Sequence, residues 1–131
     1  MHMKTLVYGA STNPQRYSYT AIHRLRHYGH EVVAIGIREG AVNDIKLLTG
    51  HPELKDIHTI TLYLGSSRQS DHIDYLLSLS PQRIIFNPGT ENHHFAQQAT
   101  ANNIEVLEAC TLVLLSTGQY SIKEDNKWTQ A

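Results

Sequence analysis

With 131 residues, a net charge of −1 and 40% apolar side chains, the chain suits one soluble globular domain, large enough to bury about two thirds of its unfolded surface. It has no clustered Lys and Arg interleaved with aromatics, which argues against a nucleic-acid partner, and no run of about 18 apolar residues, which argues against a membrane-spanning helix. The single cysteine, Cys110, leaves no internal disulfide, and Met1-His2-Met3-Lys4 opens no signal-peptide core, so the expected location is the reducing cytoplasm.

The apolar run Thr5-Leu6-Val7-Tyr8 reads as a first strand. It leads through Gly9-Ala10-Ser11-Thr12-Asn13-Pro14-Gln15-Arg16-Tyr17 into an amphipathic helix that starts near Ser18. A glycine followed by small and hydroxyl residues at a strand-to-helix turn lets backbone N–H groups approach an anion, and the helix N-terminus adds roughly half a positive charge. Arg16 adds a full charge whose forked donors suit phosphate. The turn is neither the G-x-G-x-x-G dinucleotide fingerprint nor a P-loop, because Gly9 stands alone and no Gly-Lys-Ser/Thr follows. From local sequence, a phosphate cradle and an ordinary strand-to-helix turn are both open.

The helix over residues 18–28 places Ile22, Leu25 and Tyr28 on one face, and Gly29 ends it. Residues 31–36 read as a buried second strand. Residues 37–57 are punctuated by Gly40, Gly50 and Pro52, and predict a short strand or turn with one helical turn near 44–48. The β-branched stretch 58–64 is a strand bounded by Gly65-Ser66-Ser67, and 70–79 a helix with Ile73, Leu76 and Leu77 inward, stopped by Pro81. A strand at 83–87 closes on Pro88-Gly89. Thr90 is placed to cap the next helix, with Glu91 in its first turn. A last strand at 104–109 and an apolar helix at 110–117 complete a domain over residues 1–118. The polar tail, 119–131, should be frayed, with Trp128 able to dock.

Strands alternating with helices specify an α/β fold: a single Rossmann-like, doubly wound domain with a mainly parallel sheet of five or six strands. In such a sheet, ligands bind beyond the carboxyl ends of the strands, where strand order reverses. This chain puts small and polar residues there: Gly9, Ala10, Ser11, Thr12, Asn13, Arg16 and Ser18 after the first strand, and Gly36-Ile37-Arg38 after the second. Gly65-Ser66-Ser67-Arg68, Asn87-Pro88-Gly89-Thr90-Glu91 and Cys110 follow later strands. An NAD domain usually carries an acid after the second strand. Arg38 there suits a ribose phosphate instead, as in NADP or coenzyme A, although an exposed loop arginine fits the spacing equally. The nine histidines, among them His23, His27, His30 and the adjacent His93-His94, match no zinc-finger or H-E-x-x-H spacing, so no metal is expected.

The turn V-x-G-A-S-x-x-P-x-R-x-S at residues 7–18, the helix ending in Gly29-His30-Glu31-Val32, the Gly50…Leu54-x-Asp56-Ile57 segment, Asn87-Pro88-Gly89 and Cys110 together define a pattern over residues 3–118. In these features the chain resembles the small stand-alone CoA-binding domain proteins, relatives of the CoA-binding N-terminal domain of the succinyl-CoA synthetase alpha subunit. The resemblance implies coenzyme A or an acyl-CoA as ligand. The diphosphate would lie on amides around residues 11–13 and on the helix start, with Arg16 and Ser18 as donors and Arg38 on the 3′-phosphate. Pantetheine would run over Gly65 towards residues 87–89.

Ligase chemistry needs a phosphohistidine and a nucleotide-grasp partner that these 131 residues do not encode, so binding without a catalytic reaction is expected. Cys110 is either a packing residue or a thiol able to form a mixed disulfide with the CoA thiol. The family pattern carries an Asn-Pro pair after the second strand where this chain reads Gly36-Ile37. That departure keeps open an interaction module that has lost nucleotide binding, and Arg38 keeps open an NADP-binding reductase-like domain. A protein partner or homo-oligomer is likewise left open.

Overall fold

A computed structural model of the chain describes residues 2–121. Trp128 and the rest of the expected tail beyond Ser121 lie outside the described residues. Seven strands form one sheet in the order β3-β4-β2-β1-β5-β6-β7, parallel except for β3. The count exceeds the five or six expected. The extra strand comes from residues 37–57, where β3 (Gly40–Val42) and β4 (Ile45–Leu48) make an antiparallel hairpin in place of a helical turn. Val42 pairs with Ile45, so Asn43-Asp44 is a two-residue turn, with Asn43 at φ 56°, a conformation that asparagine adopts readily.

β1 (Thr5–Ala10) lies between β2 (Val32–Gly36) and β5 (Thr59–Leu62). The chain returns from β1 to β2 through α1 (Tyr17–His27), which packs Ile22 and Leu25 against Val7, Ala34 and Leu47 on one sheet face. From β5 it moves the other way, to β6 (Arg83–Phe86) through α2 (Ile73–Ser78) and to β7 (Glu105–Glu108) through α3 (His93–Ala101). These helices cover the opposite face, where Ile73, Leu76, Phe95 and Ala99 meet Leu6, Tyr8, Ile60, Leu62 and Ile84. The final helix, α4 (Thr111–Ser116), rejoins α1's face through Leu115. The fold is therefore doubly wound, and strand order reverses between β1 and β5. Among the described residues no helix is long and apolar enough to cross a membrane.

Local details differ from sequence expectation for identifiable reasons. Tyr28 is 44% exposed rather than core-facing, because it is the C-cap, where the chain leaves α1. Asn92, not Thr90, caps α3, its Oδ1 accepting from the Phe95 amide at 3.1 Å. Thr90 is buried and donates to the Asn87 carbonyl, while Glu91 accepts from the Gly89 amide outside the helix. Tyr120, assigned by sequence to a frayed tail, is 2% exposed. Its hydroxyl shares a 2.6 Å hydrogen bond with Thr5 Oγ1, and the Arg83 guanidinium lies 4.4 Å from its ring centroid.

Candidate functional site at the carboxyl edge of the sheet

β1 extends two residues past the expected Tyr8 because Gly9 turns inside the strand at φ 93°, shifting the register against β2. A Cβ on Gly9 would stand 2.9 Å from the Leu64 amide nitrogen, so the glycine lets the end of β1 lie directly on the exit of β5. A Cβ on Gly36 would clash with the Ala10 carbonyl oxygen, which brings the end of β2 equally close on the other side. One loop over, a Cβ on Gly40 would meet Thr12 Cγ2 at 2.6 Å. Two glycines and Thr12 thus hold the segment carrying Arg38 against the turn carrying Arg16.

The turn is organised by its own side chains. Ser11 Oγ accepts from the Asn13 amide, Asn13 Oδ1 accepts from the Gln15 amide, and the Asn13 carbonyl accepts from Arg16, each at 3.0 Å. The amides of Ser11 and Thr12 have no acceptor among the described residues, and the first amides of α1 lack helical partners by geometry. Arg16 is the exposed N-cap of α1, and its side chain makes no capping bond. Ser18 is buried in the first turn.

Arg16 and Arg38 are exposed and take part in no salt bridge among the described residues. Those present, Lys4–Glu31 and Arg26–Asp44, lie at the amino edge, on the start of β1 and on the β3–β4 turn. An open cleft of about 700 Å³ between the C-terminal half of α1 and that turn is also at the amino edge. Its Arg26 is already engaged: Nε and Nη2 donate to Asp44, and Nη1 donates to the His30 carbonyl. Arg16 and Arg38 are on the carboxyl side.

Asn87 behaves differently from its neighbours in the sequence. It is 2% exposed, and its Nδ2 donates to Thr61 Oγ1 at 2.8 Å and to the Leu62 carbonyl at 2.9 Å. Its Oδ1 accepts from the Thr111 amide at 2.8 Å. The side chain ties β5, β6 and the start of α4 together and has no group left for a ligand, whereas Pro88 and Gly89 are exposed. Gly65 has open space on its Cβ side. Cys110 is partly buried as the N-cap of α4. Near it, the Tyr63 hydroxyl is buried with no hydrogen-bond partner among the described residues, and burial pushes its pKa up.

The sequence that builds this bulged first strand and the turn at the reversal of strand order matches a known family. The sequence profile of the CoA binding domain family fits residues 3–116. The chain belongs to that family. Comparison with curated proteins gave no match. Among solved structures, this CoA binding domain is similar to an uncharacterized protein at 39% identity and a TM-score of 0.89, covering 92% of this chain and 99% of the other. It shares its fold with the cell-free protein ID.343 from Thermus thermophilus (19% identity, TM-score 0.79, 91% of each chain covered). A hypothetical protein from Pyrococcus horikoshii OT3 has the same fold (16% identity, TM-score 0.77, 86% and 80% covered).

The fold brings the residues after β1 and β2 together. It keeps Gly65, Pro88-Gly89 and Cys110 on the same edge of this CoA binding domain but turns the Asn87 side chain inward. Sequence reasoning placed Arg68 on this edge but gave it no role; it is an exposed cation just past β5 with no salt bridge among the described residues. Its position, three residues beyond Gly65, was the available signal.

Proposed function

We propose that this CoA binding domain holds coenzyme A or an acyl-CoA across the carboxyl edge, in the cytoplasm and without a reaction of its own. The observation that carries the reading is the contact of Thr12 with Gly40, which sets the Arg38 segment beside a turn with free Ser11 and Thr12 amides, while neither Arg16 nor Arg38 has an ion-pair partner among the described residues. The diphosphate rests on those amides and on the N-terminus of α1, with Arg16 and Ser18 as side-chain donors. Arg38 meets the 3′-phosphate, and the exposed Ile37 beside it offers apolar surface to the adenosine end. Pantetheine runs over Gly65 towards Pro88-Gly89, which sets its thiol on the side of Cys110. The kinship to the CoA-binding domain of succinyl-CoA synthetase belongs to the same reading.

The test compares CoA, 3′-dephospho-CoA and NADP by competition on the intact chain. CoA should bind most tightly, and the advantage over dephospho-CoA should vanish in Arg38→Ala. Equal affinity for CoA and dephospho-CoA removes the role of Arg38, and tighter binding of NADP replaces the ligand.

A further inference from the structure

Gln69 directly follows the exposed turn Ser66–Arg68 on the carboxyl edge, yet it is fully buried. A buried amide costs free energy unless its polar atoms find partners, and here both sides of the group do. Nε2 donates to the Leu64 carbonyl and to the Thr90 carbonyl, each at 2.8 Å, and Oε1 accepts from Asn92 Nδ2 at 3.0 Å. The amide has one workable orientation, because turning it over would set Oε1 against two carbonyl oxygens. Asn92 is held in turn as the cap of α3.

The bridged carbonyls belong to different loops, one leaving β5 and one leaving β6. Leu64 adjoins Gly65 and Thr90 adjoins Gly89, the two glycines on the proposed path of pantetheine. Both glycines have open space on the Cβ side, so each loop offers bare backbone there while a buried side chain ties the loops together from the interior. A flexible arm gains most affinity from walls set beforehand, since ordering loops during binding offsets the contacts made. We propose, on the ligand path read for this edge, that Gln69 is the positioning residue of the pantetheine channel: its amide sets the spacing of the Gly65 and Gly89 loops without touching the ligand.

Isothermal titration of the intact chain with coenzyme A and with adenosine 3′-phosphate 5′-diphosphate, the same molecule without its pantetheine arm, tests this. The wild type should prefer coenzyme A. Gln69→Met is close in size but cannot bridge the carbonyls. It should lose about tenfold of that preference, while binding of the armless nucleotide stays within about twofold. Asn92→Asp keeps an oxygen to cap α3 but removes the donor to Gln69 Oε1, and it should narrow the preference in the same direction even if Gln69→Met fails to fold. Equal weakening of both ligands, or an unchanged preference in the folded variants, overturns the role of Gln69 and leaves the proposed ligand standing. A wild type without the preference overturns the path of the arm and this role with it. A wild type that binds neither molecule overturns the proposed function and this role together.

Discussion

At the scale of single residues, Gly9 is required twice over, by a φ of 93° and by a backbone neighbour 2.9 Å from any Cβ. Gly9→Ala should lower stability by about 1–3 kcal/mol, read as a shifted urea midpoint, because a strained backbone and a contact with the exit of β5 must both be absorbed. An unchanged midpoint would mean that the bulge relaxes freely. Gly9 and the polar turn after it were legible in sequence because strand-to-helix turns are written in adjacent residues. Asn87 was legible only in part. Its place at a strand end could be read, but the direction of its amide depends on Thr61 and Thr111, far away in sequence and adjacent only after the sheet forms.

Among elements, that same amide joins two strands and a helix, so its loss should be felt as looser packing at the edge. Asn87→Ala leaves the Thr111 amide and the Leu62 carbonyl short of a partner and should cost about 2–3 kcal/mol in denaturant unfolding. A cost near zero would show that water replaces the amide. The β3–β4 hairpin was missed for the opposite reason. Val42-Asn43-Asp44-Ile45 is a turn signal, but the flanking strands are three and four residues long, too short for alternation to show. The caps were ambiguous locally, since Thr90 and Asn92 both suit the N-cap and the buried bond from Thr90 to Asn87 decides between them.

Across the whole molecule, the alternation of strands and helices fixed the doubly wound plan, and the amino edge carries a distinct electrostatic burden. His30 is 3% exposed, and its Nδ1 accepts from the Met3 amide at 2.8 Å. Burial first, then His2, Arg83, the N-terminus and His58, push its pKa down to about 4. The unfolded chain takes up the proton near the ordinary value of about 6.5, so between these pH values unfolding binds a proton that the fold refuses. Stability should therefore be full above about pH 6.5 and fall by about 3 kcal/mol as the pH drops to 4, at about 1.4 kcal/mol per pH unit. His30→Gln should flatten this slope in urea melts at stepped pH, and an equal slope in wild type and variant would assign the acid sensitivity elsewhere.

At the opposite edge, the proposed diphosphate cradle after β1 draws on Arg16, and the proposed contact to a ribose phosphate on Arg38. Isothermal titration of the intact chain with coenzyme A, alongside Arg16→Ala and Arg38→Ala, tests it most directly. Binding should be saturable in the wild type and weakened by about 1.5 kcal/mol or more, roughly tenfold, in each variant. No saturable heat at millimolar coenzyme A, or binding that both variants leave unchanged, would contradict it.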